Sequence, residues 1–103
     1  MVGKVPLTAE ELYKKLQEVA PDWKVGESEK GFLCIERVMH AKSFMDGIAF
    51  VHKVAEAAEI ENHHPDIFIN YKRITVRYWT HTVSGVTLAD VQMAQQIDPL
   101  FLK

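Results

Sequence analysis

Between Pro65 and Thr80 the chain alternates: Ile67, Ile69 and Tyr71 are separated by Phe68 and Asn70, and Ile74, Val76 and Tyr78 are interleaved with Thr75, Arg77 and Trp79. Successive strand residues point to opposite faces, so each run makes one apolar face and one mixed face. Two such runs joined by a short turn form an antiparallel hairpin. This pair constrains the fold most, because its apolar face must be buried under a second layer. With Lys72-Arg73 as the turn, Tyr71 faces Ile74 and His64 comes opposite His81; a turn displaced by one residue brings Asn62 opposite His81 instead. Either register carries His81 to the end of the hairpin where Asn62-His63-His64-Pro65 enters. Ile67, Ile69, Tyr71, Ile74, Val76 and Tyr78 form the expected core face, with Trp79 and His81 on the other, so His81 is not expected in the core.

The layer over that face comes from three helical segments. Leu7-Thr8-Ala9-Glu10-Glu11-Leu12 opens the first, with Thr8 as cap, Glu11 closing a capping box and Leu7 stapled onto Leu12. Leu12, Leu16 and Val19 form its inward stripe before Pro21-Asp22 ends it, and Tyr13 is assigned to packing. Trp23-Lys24-Val25 and Phe32 to Met39 read as a strand pair around the polar, glycine-bounded loop 26–31, with Trp23 in the core. Ser43 with Asp46 starts a second helix, expected to be the longest element and to run to Ile60. It carries two stripes, Phe44, Ile48, Val51, Ala55 and Ala58 beside Phe50, Val54 and Ala57. One stripe suffices to cover a sheet, so the second, small-residue stripe is expected to meet another subunit. Val86-Thr87-Leu88-Ala89-Asp90-Val91 repeats the capping grammar, and this third helix ends near Ile97 before Asp98-Pro99. The apolar tail Leu100-Phe101-Leu102 is expected to dock on the domain or a neighbour. The order α-β-β-α-β-β-α predicts an α+β fold: a four-stranded antiparallel sheet with three helices packed on one face, one domain over residues 1–103.

At 103 residues and 48% hydrophobic, the chain has material for one core. A net charge of -2, with Lys72, Arg73 and Arg77 as the only local basic cluster, argues against direct nucleic-acid binding. The lone Cys34 lies in an apolar run and has no internal disulfide partner, which fits a reducing compartment. No segment reads as a signal peptide or membrane span, and the expectation is a cytoplasmic protein without membrane contact.

Glu59-Ile60-Glu61-Asn62-His63-His64-Pro65 ends the longest helix on two imidazoles, and the hairpin adds His81. Imidazole exchanges protons near neutral pH, so the three histidines have three readings: a metal site, solvated loop residues, or metal-free acid-base catalysis tuned by Glu59 and Asp90. His-His-Pro fits the usual zinc spacings poorly, and His52 with Glu56 one turn on reads as a solvated helix-face pair. Asp90 also stands where a carboxylate caps the third helix, and the structural and catalytic roles have equal claim.

The spaced set Glu59-x-x-x-His63-His64-Pro65, Tyr71, Thr80-His81, Gly85 and Asp90 resembles the signature of the pterin-4a-carbinolamine dehydratases. The likeness covers nearly the whole chain, including the capped first helix, Trp23 and the long second helix. The resemblance implies dehydration of 4a-hydroxytetrahydrobiopterin to quinonoid dihydrobiopterin and water, in tetrahydrobiopterin recycling, with no metal and no organic cofactor. On it, His63, His64, His81 and Asp90 are the catalytic set, His63 and His81 matching the acid-base pair and His64 the histidine that mainly holds the pterin. Asn62, Trp79, Thr80 and Thr82 match pterin-contacting positions together with the histidines, and Glu59 matches an acidic position around the pocket. The chain departs from common members at Asn62, Trp79 and Val86. The resemblance further implies a homodimer or homotetramer. It also brings an alternative function, binding as the dimerisation cofactor of a homeodomain transcription factor through the helical oligomer face.

Overall fold

The computed structural model describes residues 5–101. Its elements are α1 (Ala9–Val19), β1 (Lys24–Glu27), β2 (Leu33–His40), α2 (Phe44–Glu61), β3 (Asp66–Asn70), β4 (Arg73–Tyr78) and α3 (Leu88–Ile97), with short 3-10 turns at His81–Val83 and Asp98–Leu100. The strands form one antiparallel sheet in the order β1-β2-β4-β3, and the expected α-β-β-α-β-β-α order holds.

Local chemistry starts the helices where the sequence places them. Thr8 Oγ1 accepts from Glu11 N–H at 3.1 Å and Glu11 Oε1 from Thr8 N–H at 2.9 Å, closing the box on α1. Leu7 packs against the core beside Leu12, as a hydrophobic staple does. Ser43 supplies one arm of a box at α2, its hydroxyl accepting from Asp46 N–H at 3.0 Å. In the β1–β2 loop Gly31 takes φ +88°, a backbone that only glycine adopts without strain.

Ile35 and Met39 of β2, and Ile74, Val76 and Tyr78 of β4, join Leu12 and Leu16 of α1, Phe50 and Val54 of α2, and Val91, Ala94 and Ile97 of α3 in one core. Trp23 lies in it too, at 3% exposure, its indole N–H bonded to Asp98 at 2.7 Å. Phe101 docks on Trp23 and Phe50 with ring centroids 5.9 and 4.8 Å apart, as expected of the apolar tail; Leu102 lies outside the described residues.

Three expectations are corrected. The hairpin turn is Tyr71-Lys72, since Asn70 pairs with Arg73 and Ile69 with Ile74. β4 is an inner strand whose first residue, Arg73, also pairs with His40 of β2, so the turn must use the residues before it. The displaced register therefore holds, the one that leads Asn62 rather than His64 toward His81. Tyr71 accepts a left-handed φ of 52° there and lies 68% exposed, its ring stacked 6.5 Å from Phe44. Ile69, also assigned to the core, is 43% exposed because β3 is an edge strand.

The second correction concerns α2. The stripe assigned to a partner, Phe50 and Val54 with Ala57 beside them, enters the core together with Gly47 and Ala58. Phe44 and Ala55 of the other stripe stay exposed, and Ile48 and Val51 are half-buried. Gly47 explains the choice: a Cβ there would meet Ile74 Cδ1 at 3.2 Å, so this side brings the helix closest to the sheet. Third, Tyr13 does not pack in the core but is 59% exposed on α1.

Candidate active site

The site is made where α2 stops. Asn62 adopts a left-handed conformation, φ 51°, and His63 N–H reaches back to Ala58 O at 3.1 Å, so the helix ends and the chain turns toward β3. Pro65 follows and holds the preceding residue in extended geometry. On the other side, β4 runs into Thr80, which pairs with Gly85 across the short turn carrying His81 and Thr82. A cleft of about 400 Å³ opens between the two segments, lined by Asn62, His63, His64, Trp79, Thr80, His81 and Thr82.

All three histidines face this cleft, in different settings. His63 is the most enclosed. Its Nε2 lies 2.5 Å from Asp90 Oδ1, its ring stacks on Tyr78 with centroids 5.2 Å apart, and its carbonyl accepts from Tyr78 Oη at 2.9 Å. Asp90 is fully buried. Its other oxygen, Oδ2, accepts from Thr80 Oγ1 at 2.7 Å and from Thr87 N–H at 2.9 Å, and the two threonine hydroxyls lie 2.9 Å apart. One carboxylate therefore caps α3, ties β4 to it and orients His63. The buried charge is tolerable because both oxygens are satisfied. Burial, and secondarily the Asp90 charge, push the Tyr78 phenol well above the ordinary tyrosine range, so Tyr78 remains a neutral donor.

His64 is exposed, with Nε2 2.5 Å from Glu59 Oε2 on the last turn of α2. His81 lies on the opposite wall with its ring over the Trp79 indole, centroids 3.8 Å apart. Its exposure agrees with the expectation that it lies outside the core. Glu59 touches the cleft through His64, and Asp90 through His63 and Thr80. Among the described residues, no group of three His, Cys, Asp or Glu side chains is arranged to hold a metal ion, and His52 and Glu56 form an exposed pair 3.6 Å apart on α2.

Four residues that frame the site were not singled out for it. Tyr78 was concealed by the alternation that marks it as core, although it packs the cleft's inner edge. Thr87 reads only as a helix cap. Asp66, which accepts from the Trp79 indole N–H at 2.9 Å, could have been found: it pairs with Arg77, so Trp79 is its diagonal neighbour. Phe32, packed at a tilt against Trp79 with ring centroids 4.4 Å apart, carries no such signal, because it comes from the distant β1–β2 loop.

As a class, this is an α+β sandwich that presents three imidazoles in one cleft at a junction of helix and sheet. The sequence profile for pterin 4 alpha carbinolamine dehydratase matches residues 5–100, and the chain belongs to that family. A Gloeobacter violaceus protein, provisionally named pterin-4-alpha-carbinolamine dehydratase 2, is 46% identical over 88 residues, covering 85% of this chain and 94% of the relative. A Nocardia farcinica protein with the same provisional family name is 42% identical over 94 residues, covering 91% and 93%. Among solved structures, a transcriptional coactivator/pterin dehydratase from Brucella melitensis superposes with a TM-score of 0.81 at 28% identity, covering 95% of this chain and all of that one. A pterin dehydratase-like protein identified as a RuBisCO assembly factor in the alpha-carboxysome shares the fold, with a TM-score of 0.61 at 18% identity over 77% of this chain and 88% of that one.

Proposed function

We propose that the protein dehydrates 4a-hydroxytetrahydrobiopterin to quinonoid dihydrobiopterin and water by histidine acid-base catalysis, as a step in tetrahydrobiopterin recycling. The observation that carries this reading is the convergence of His63, His64 and His81 on one cleft, with carboxylates behind the first two. Hydroxide is a poor leaving group, so one imidazolium protonates the 4a-oxygen while a neutral imidazole takes the proton from N5. The C4a–O bond breaks, the N5–H electron pair becomes the C4a=N5 bond, and water departs. Nothing is oxidised or reduced, and the proposal includes no cofactor. His63 and His81 form the acid-base pair. His64, held outward by Glu59, binds the pterin edge with Asn62, Thr80 and Thr82.

Replacing His63 or His81 with Ala is expected to lower turnover by about 10² to 10⁴. The measurement is carbinolamine dehydration followed by absorbance, with the fold checked by circular dichroism. A folded His63→Ala, His81→Ala double variant with undiminished turnover would overturn the proposal.

The exposed side of α2 favours an added reading about partners. Phe44 is 45%, Met45 69% and Ile60 77% exposed, all on this one helix. A second copy of the chain is the proposed occupant, giving a homodimer or homotetramer. A coactivator-type protein partner, of the kind named for the Brucella relative, would compete for the same side. The free, buried Cys34 fits a reducing, cytoplasmic location, and none of the described helices is long and apolar enough to cross a membrane.

A further inference from the structure

The three histidines of the cleft are not held alike. His63 and His64 each have a carboxylate on Nε2, Asp90 and Glu59 respectively. Among the described residues, no side chain hydrogen-bonds the His81 ring. That ring instead lies against the Trp79 indole, with centroids 3.8 Å apart and planes inclined by 30°. Trp79 is in turn fixed from two directions. Its Nε1 donates to Asp66 Oδ2 at 2.9 Å, and the Phe32 ring packs on it with centroids 4.4 Å apart. These contacts come from Asp66, the first residue of the edge strand β3, and from the loop between β1 and β2, so the indole is clamped by two separate segments of the chain. An imidazole on a short surface turn is otherwise free to rotate about two side-chain bonds. A rigid aromatic plane restrains that rotation much as a hydrogen-bonded carboxylate does.

We propose that Trp79 is the positioning residue of His81, the aromatic counterpart of Asp90 for His63, with Asp66 and Phe32 as its clamp. The effect on turnover rests on the dehydratase reading above; the effect on the His81 ring does not. Trp79 also lines the cleft, and the two roles separate kinetically. A wall that merely binds pterin contributes to KM, whereas a group that holds the acid-base imidazole in line contributes to kcat.

The experiment compares Trp79→Phe with Trp79→Leu, which both keep apolar bulk but differ in the aromatic face. In pterin-free protein, the carbon-bound ring protons of His81 are expected upfield in NMR spectra of wild type and Trp79→Phe, and three-bond couplings about its Cα–Cβ bond are expected to report one rotamer in both and an average over rotamers in Trp79→Leu. In turnover, Trp79→Leu is expected to lose about tenfold or more in kcat with KM changed by less than about threefold, and Trp79→Phe to recover most of the loss. Asp66→Ala, which frees the indole, is expected to fall between them. His81 couplings that still report one rotamer in Trp79→Leu overturn the proposal, as does a rise in KM alone. Absence of turnover in the wild type counts against the dehydratase reading, while the coupling comparison still decides whether Trp79 positions His81.

Discussion

Asp90 links stability and chemistry in one side chain, and substitutions can separate the two. Thr80→Val removes one donor to Oδ2 and leaves the Oδ1 to His63 contact in place. It is expected to cost about 1–2 kcal/mol in denaturant unfolding, the range for a lost buried hydrogen bond, with kcat within a few-fold of wild type and any loss of a pterin contact confined to KM. Asp90→Asn keeps a carbonyl for the helix cap but turns an amide N–H₂ toward His63 Nε2. That favours the other imidazole tautomer and removes the charge that stabilises the imidazolium, so turnover is expected to fall by about 10² or more while stability falls by only about 1–3 kcal/mol. Equal fractional losses in the two variants would make Asp90 a cap and nothing else. Half of this was legible in the sequence. Thr87-x-x-Asp90 announces the cap, because capping is local. The partnership with His63 depends on how α3 lies against the end of α2, which no short spacing encodes.

At the scale of elements, α2 shows why periodicity underdetermines packing. It is apolar on two adjacent sides, and a 3.6-residue repeat identifies stripes without saying which one meets the sheet. The decisive residue is Gly47, whose missing Cβ lets that side approach Ile74. The hairpin register was underdetermined for a similar reason. Neither candidate turn contains glycine, both keep the apolar face intact, and the choice falls to β2, which pairs Arg73 with His40 from the far side. Helix starts, by contrast, were readable because Thr8, Ser43 and Thr87 act within one turn of themselves. The two sides of α2 should respond differently to substitution. Phe50→Ala, on the 4%-exposed inner side, is expected to cost about 3–5 kcal/mol of stability. Ala55→Arg, on the exposed side, is expected to leave the monomer's unfolding midpoint nearly unchanged and to lower the solution mass measured by light scattering from oligomer to monomer. A wild-type monomer, or an Ala55→Arg oligomer of undiminished mass, would refute the second-copy assignment.

Across the whole molecule, burial couples the sheet's stability to pH on the alkaline side. Cys34 is fully buried, and desolvation pushes its thiol up from about 9.0 to about 11. Arg77, bound to Glu36 and Glu29, pulls in the opposite direction, and the Glu36 charge pushes the thiol further up. On the helix side of the sheet, burial raises the Tyr78 phenol as well. In the unfolded chain these groups release their protons at ordinary values near 9 and 10, whereas the folded chain still holds them there. The unfolded state then binds fewer protons, so stability must fall as pH rises. The contribution of Cys34 is fully present below about pH 9 and lost as pH climbs toward 11, on the order of 2 kcal/mol across that window. Urea midpoints measured from about pH 8 to about pH 11 should therefore decline, and Cys34→Ala should flatten part of that decline. The native thiol should also resist a thiol-specific reagent at about pH 8 and react once urea unfolds the chain. An alkaline decline of the same depth in Cys34→Ala would place its origin in other groups, with Tyr78 the first to test by substitution to Phe.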